Sequence, residues 1–168
     1  MAQEPVHDAA GTEPASGIVP ALLQELSVEL GRFSSIFAQR HGLHSTDVEA
    51  LGHLHLASLR GEPMTPSSLA ASIDLSPPAT TALLRRLEGN GHIERTPDPA
   101  DGRRQLLGLH DSAREIASDF FGPLAFAIEG SLEGFTDTEV AVIVRWLRSA
   151  IDTTRSVAED AATRSAGA

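Results

Sequence analysis

The stretch from Leu75 to Leu109, LSPPATTALLRRLEGNGHIERTPDPADGRRQLLGL, leaves little freedom in local structure. Pro77 suits the first position of a helix, where its missing N–H costs nothing, and Ser76 is a residue type that accepts from the free amides of a first turn. Helical spacing then sets Leu83, Leu84 and Leu87 on one side and Thr81 and Arg85 on another. Asn90-Gly91 stops the helix, because glycine enters the left-handed region at little cost. His92 to Thr96 reads as a strand, a turn-rich DPADG follows, and Arg103 to Leu109 reads as the returning strand. A short polar helix leading into a basic-tipped hairpin is the outline of a winged helix-turn-helix.

Helices flank this unit. From Ile18 an apolar stripe runs through Val19, Leu22, Leu23, Leu26, Leu30, Phe33 and Phe37, ending near Gly42. Thr46-Asp47-Val48-Glu49 predicts a capping box with Glu49 reaching back to the cap amide, ahead of a helix burying Val48, Leu51, Leu54 and Leu59. Thr65 and Pro66 open a third short helix, packed by Leu69, Ala70 and Ile73, and Asp74-Leu75 turns into the helix first described. Beyond the hairpin, Asp111 or Ser112 is placed to cap a long helix carrying Ile116, Phe120, Leu124, Ile128 and Leu132. Gly122-Pro123 inside it predicts a kink or a brief break. Thr136 and Glu139 form a second capping box, with Phe135 and Val140 placed as a hydrophobic staple. The last helix carries Val140, Ile143, Val144, Leu147 and Ile151.

The expected fold is therefore mainly α with a small β-hairpin. A winged helix-turn-helix at residues 46–110 is inserted between dimerisation helices at 18–45 and 111–160, with a disordered tail at 1–17 and a flexible one at 161–168. The excess of apolar surface at both chain ends predicts a homodimer. No apolar run approaches the roughly 20 residues of a membrane span, and the acidic N-terminus lacks a signal-peptide core, so a soluble, cytoplasmic protein with no membrane partner is expected.

As a bulk figure a net charge of −10 argues against nucleic acid, but its distribution does not. Arg60 to His110 holds six arginines and six acids and is neutral; the rest of the chain carries the whole deficit. There is no lysine, so every fixed positive charge is a guanidinium, the group suited to phosphate, guanine and narrow minor grooves. There is also no cysteine, which excludes disulfides, thiolate metal sites and thiol redox sensing.

Leu87-Glu88-x-x-Gly91-x-Ile93-x-Arg95 followed by Asp98-x-x-Asp101-x-Arg103-Arg104 resembles the MarR-type transcriptional regulators, and the resemblance spans roughly Val19 to Asp160. It implies binding to double-stranded DNA as a homodimer, with one recognition helix per subunit in successive major grooves of a pseudo-palindrome. Ser76, Pro78, Thr80 and Thr81 lie where that helix points into the groove; methyls and prolines touch thymine methyls, and Arg85 takes guanine or phosphate. In the wing, Arg103 is expected in the minor groove and Arg104 on phosphate. Asp101 orients the loop by accepting from backbone amides or from Arg95. The resemblance gives Arg86 a structural ion pair. Ala82 departs from it, since many similar sequences carry a long polar residue there. The resemblance further implies repression relieved by a small aromatic or anionic effector, held between the dimer helices and the reading lobe, where Phe33, Phe37, His41, His44 and His55 are the candidate lining.

Two other readings compete. A metal-responsive regulator would use the histidines, but His53 and His55 are two apart, which sets them on different sides of a helix, so no metal site and no cofactor is expected. A helical dimer binding a protein partner would leave the hairpin without a role. Catalysis is not expected, since the chain has neither a glycine-rich phosphate loop nor a G-x-S-x-G nucleophile elbow.

Overall fold

The computed structural model describes residues 15–166. Residues 1–14 of the expected N-terminal tail, and 167 and 168 at the other end, lie outside the described residues. Along the chain run α1 (Ala15–His41), α2 (Ser45–Arg60), α3 (Pro66–Ser72), α4 (Pro77–Gly89), β1 (Ile93–Pro97), β2 (Gln105–Leu109), α5 (Asp111–Gly130) and α6 (Asp137–Ala166). The fold is mainly α with one small antiparallel hairpin. Both terminal helices outrun their expected limits: α1 begins at Ala15 and α6 continues through the stretch expected to be a flexible tail. The alanines of that stretch favour a helix even without an apolar stripe. No helix among the described residues is long and apolar enough to cross a membrane. Two compact units divide after Ile116.

In the first unit, α2, α3, α4 and the hairpin close around Ala50, Leu54, Leu69, Leu83, Leu84, Leu87, Ile93, Leu107 and Leu109. The buried face of α2 is Asp47, Ala50, Leu54 and Ala57. Of the expected face, Leu54 is buried and the half-buried Leu51 packs against this core, but Val48 is only half-buried and Leu59 is 71% exposed. The expected cap is corrected as well. The cap residue is His44, and Asp47, three residues on, accepts from the His44 N–H at 2.9 Å. Starting the helix at Ser45 puts the cap-to-acid spacing on His44 and Asp47, so Glu49 sits too far along to reach back.

The Thr65–Pro66 start of α3 is as expected: the Ser68 N–H donates to Thr65 Oγ1 at 3.2 Å, and the Thr65 N–H to Ser68 Oγ at 2.8 Å. The turn into α4 is made by Asp74 in the left-handed region, at φ 49°. At the far end of α4, Gly91 takes φ 71°, and the His92 N–H donates to the Leu87 carbonyl at 2.8 Å. Glycine here reverses the chain without a Cβ penalty and sends it into β1. The hairpin pairs Ile93 with Leu109, Arg95 with Leu107 and Pro97 with Gln105, which buries alternate residues of β2. β2 is also anchored from the other side, because the Leu107 N–H donates to the Met64 carbonyl at 2.8 Å. Arg103 lies in the turn ahead of β2, two residues before the strand begins.

The second unit comprises most of α5 together with α6. Pro123 lies inside α5, which nevertheless runs unbroken to Gly130, so the expected break does not occur. A proline removes a single backbone bond, and the bonds of the neighbouring turns carry the helix past it. His110, one residue before the expected caps, holds the first turn of α5: its carbonyl accepts from Ala113 and Arg114 at 3.0 and 3.1 Å. The second capping box forms as expected, the Thr136 N–H donating to Glu139 Oε2 at 2.8 Å and the Glu139 N–H to Thr136 Oγ1 at 3.3 Å.

Candidate nucleic-acid interface

α4 owes its two faces to simple periodicity. Thr80, Leu83, Leu84 and Leu87 recur at three and four residues and are buried; the opposite side, Pro78, Thr81, Ala82 and Arg85, is exposed. Thr80 therefore does not share the exposed face expected of it. It is 5% exposed, and its hydroxyl donates 3.0 Å to the Ser76 carbonyl. Thr81 makes the same kind of bond to the Pro77 carbonyl, at 2.9 Å, but on the exposed side. Ser76 occupies the cap position without a capping side-chain bond. Pro78, at the second helical position, has no N–H, so one of the two amides a cap side chain can satisfy is missing. The Ser76 side chain is left exposed beside Pro78.

Arg85 is exposed and makes no ion pair or side-chain hydrogen bond among the described residues. Arg86, the next residue, does the opposite. Its Nε donates to Asp47 Oδ1 and Oδ2 at 3.1 and 3.2 Å, and its Nη2 to Oδ1 at 2.6 Å. The Asp47 side chain is 1% exposed. Hydrogen bonds donated to Asp47, and then the charge of its carboxylate, hold the Arg86 guanidinium above its ordinary pKa against the opposing effect of burial. Asp47 thus joins the first turn of α2 to the back of the reading helix. Its partnership was not legible in sequence, since the two residues lie 39 apart.

The hairpin tip is built by acids acting on its own backbone. Asp98 Oδ1 accepts from the Ala100 N–H at 2.8 Å, and Asp101 Oδ1 from the Arg103 N–H at 3.1 Å. Of the two roles open to Asp101, the structure shows the bond to a backbone amide. Arg95 instead pairs with Glu88, at 3.2 Å, and ties β1 to the last turn of α4. Arg104 lies 3.7 Å from Asp98 and remains more than half exposed. Arg103 is exposed, with no side-chain partner among the described residues. Asp98 and Glu88 belong to the motif but had no assigned role; Asp98 pairs with Arg104 across the hairpin turn, and Glu88 with Arg95 across the end of α4.

Of the five residues proposed as an effector lining, Phe33, Phe37 and His41 share one side of α1, while His44 and His55 belong to the cap and body of α2. Phe37 is buried and meets the His41 ring at a 45° tilt with centroids 4.6 Å apart, Phe33 is half-buried, His44 caps α2, and His55 is exposed. An open cleft of about 420 Å³ lies instead between α1 and α2, lined by Gly31, Ser34, Ser35, Ala38, Gln39, Ser45, Val48 and Glu49. It takes the side of α1 that Phe33, Phe37 and His41, spaced by four, turn away from. No three His, Asp or Glu residues gather closely enough to hold a metal ion among the described residues.

Comparison with known proteins accords with this geometry. Residues 59–104 match the MarR family model. The HTH-type transcriptional regulator YcgE of Bacillus subtilis (strain 168) is 30% identical over 131 residues, covering 78% of this chain and 82% of YcgE. An HTH-type transcriptional regulator of Mycobacterium tuberculosis (strain CDC 1551 / Oshkosh) is 30% identical over 95 residues, 56% of this chain and 66% of that one. Among solved structures, a MepR mutant from a multidrug resistant S. aureus clinical isolate superposes with a TM-score of 0.67 at 19% identity, covering 80% of this chain and 96% of that one. The MarR regulator of Oenococcus oeni PSU-1 superposes with a TM-score of 0.54, also at 19% identity, covering 80% and 98%. With a winged helix-turn-helix fold, the family motif across α4 and the hairpin, and a relative matched over most of both lengths, the chain belongs to the MarR family of DNA-binding transcriptional regulators and is not an enzyme.

Proposed function

We propose that this chain is a homodimeric repressor that holds a pseudo-palindromic operator and releases it when a small aromatic or anionic effector binds. The observation that carries the reading is the pair of unpartnered guanidiniums of Arg85 on α4 and Arg103 at the hairpin tip, exposed on one lobe while the neighbouring Arg86, Arg95 and Arg104 are engaged by acids. α4 enters the major groove with Ser76, Pro78, Thr81 and Arg85 toward the bases; Arg103 enters the minor groove, and Arg104 leaves Asp98 for phosphate. Two-fold symmetry then sets half-sites roughly 34 Å apart.

Dimerisation is supported by apolar side chains left in water: Ile18, Leu22 and Leu26 on α1 are 48–54% exposed, and Trp146, Leu147 and Ile151 on α6 are 39–48% exposed. The effector is supported by S. aureus MepR, which has been solved both with DNA and with ethidium bromide. The cleft at the α1–α2 junction is the place we assign to it, with the Phe37–His41 pair behind. Effector binding there alters the spacing of the dimer's two reading lobes and lifts one α4 from its groove.

Selection from a pool of random duplexes at two salt concentrations, with wild type beside Arg103→Ala, tests the reading. Enrichment of a pseudo-palindrome bound by two chains, weakened by about 1–3 kcal/mol in the variant, is expected. Absence of enrichment at low salt overturns it.

A further inference from the structure

The exposed face of α4 has an unusual chemistry for a reading surface. At 100° per residue, Pro78, Thr81, Ala82 and Arg85 fall within an arc of about 100°. The Thr81 hydroxyl has committed its proton to the Pro77 carbonyl, at 2.9 Å. What Pro78, Thr81 and Ala82 offer outward is therefore mostly hydrocarbon, a ring edge and methyl groups, beside the lone pairs of one hydroxyl that no longer donates. No Asn, Gln, Asp or Glu stands among them, so the amides that pair bidentately with adenine and the carboxylates that accept from cytosine are missing from this face. Arg85 is the one strong donor on it, and it is unpaired among the described residues.

Only one base edge presents hydrocarbon in the major groove, the C5-methyl of thymine, and a guanidinium finds its bidentate acceptor pair at guanine O6 and N7. The face spans about 10 Å along the helix axis from Pro78 to Arg85, the length of about three base pairs. We propose that α4 specifies a short run of thymines by their methyl groups, against Pro78, Thr81 and Ala82, bounded by one guanine read by Arg85. The inference rests on α4 lying in the major groove, as proposed above. Thr80, which the resemblance alone would have added as a second threonine, takes no part, because it is buried.

The test uses the full-length protein and the duplex that selection returns. Each thymine is replaced in turn by deoxyuridine, which removes the methyl and keeps the pairing, and each guanine by 7-deazaguanine, which removes the N7 acceptor. Deoxyuridine at the contacted positions should weaken wild-type binding about fourfold per methyl, the factor for one methyl-sized apolar group. In Thr81→Ser, which keeps the hydroxyl and loses the side-chain methyl, the penalty at one thymine should vanish. In Arg85→Ala, the 7-deazaguanine penalty should vanish while the deoxyuridine penalties persist. Sequence-specific binding that ignores every deoxyuridine overturns this inference alone. So does an Arg85→Ala variant that only lowers the salt slope, since that marks a phosphate contact. Loss of all binding by wild type overturns the operator reading and this inference with it.

Discussion

Asp47 is the residue on which the reading helix is hung. Its carboxylate accepts from the His44 N–H and receives three hydrogen bonds from Arg86, so it serves α2 as a cap and α4 as an anchor. Arg86→Ala leaves a 1%-exposed carboxylate with one hydrogen bond in place of four. Discounted for the partial exposure of the guanidinium, the expected loss is about 1–3 kcal/mol, checked by urea unfolding. Arg86→Lys should recover only part of it, because an ammonium cannot match the fork. Arg85→Ala, one residue away and unpaired, should leave stability within about 0.5 kcal/mol of wild type while weakening operator binding. Thr80→Val replaces a buried hydroxyl bonded to its own helix. Unchanged operator affinity is expected, and a binding defect without unfolding would restore Thr80 to the interface.

At the scale of elements, the angle between α3 and α4 depends on Asp74, whose φ of 49° is a conformation that side chains adopt at a cost. Asp74→Gly should be neutral or slightly stabilising, whereas Asp74→Val should cost about 1–2 kcal/mol and disturb DNA binding by re-aiming α4. Thermal unfolding and operator titration of the two variants separate these effects. α6 carries its own pH dependence. Hydrogen bonds from the Thr136 backbone, then from its hydroxyl, hold the Glu139 carboxyl below the usual carboxylate range. The sign follows from linkage: a depressed folded-state pKa contributes stability that is complete above the unfolded value and is lost as pH falls through the folded one. Acid titration followed by circular dichroism should show fraying at the start of α6 only below the ordinary Glu range. Glu139→Gln should remove that pH dependence.

For the whole molecule, the charge and the apolar surface point in one direction. A chain of net charge −10 carries its DNA-reading segment as a neutral insert, so weak non-specific binding is expected, and specific binding must come from shape and base contacts. Measured against salt, the operator affinity should fall with a slope set by the few phosphates met, shallower than that of a basic regulator. The apolar row on α6 predicts assembly by mass action. Leu147→Glu should yield a monomer by analytical ultracentrifugation and lose cooperative binding to the pseudo-palindrome, while retaining its helical circular dichroism. A dimer that survives this substitution would place the interface elsewhere.

Much of the fold was written in short-range signals that need no tertiary partner. Proline at a helix start, Asn90-Gly91 at a helix end, the Thr136–Glu139 box and the turn residues of the wing act within four or five residues of themselves. They set the element order and the exposed guanidiniums of Arg85 and Arg103. What tertiary structure alone decided is which side of each helix meets the core. The fully buried α2 face fell on Asp47, Ala50, Leu54 and Ala57, with Leu51 half-buried at the edge of the core and the apolar Leu59 left exposed. Small residues let α2 approach its neighbours closely, and a buried carboxylate is tolerated only where an arginine distant in sequence arrives to neutralise it. The same contacts withdrew Thr80 from the reading face and gave Arg86 to Asp47. A local pattern sees spacing along one helix; it does not see the second surface that chooses among the sides that spacing allows.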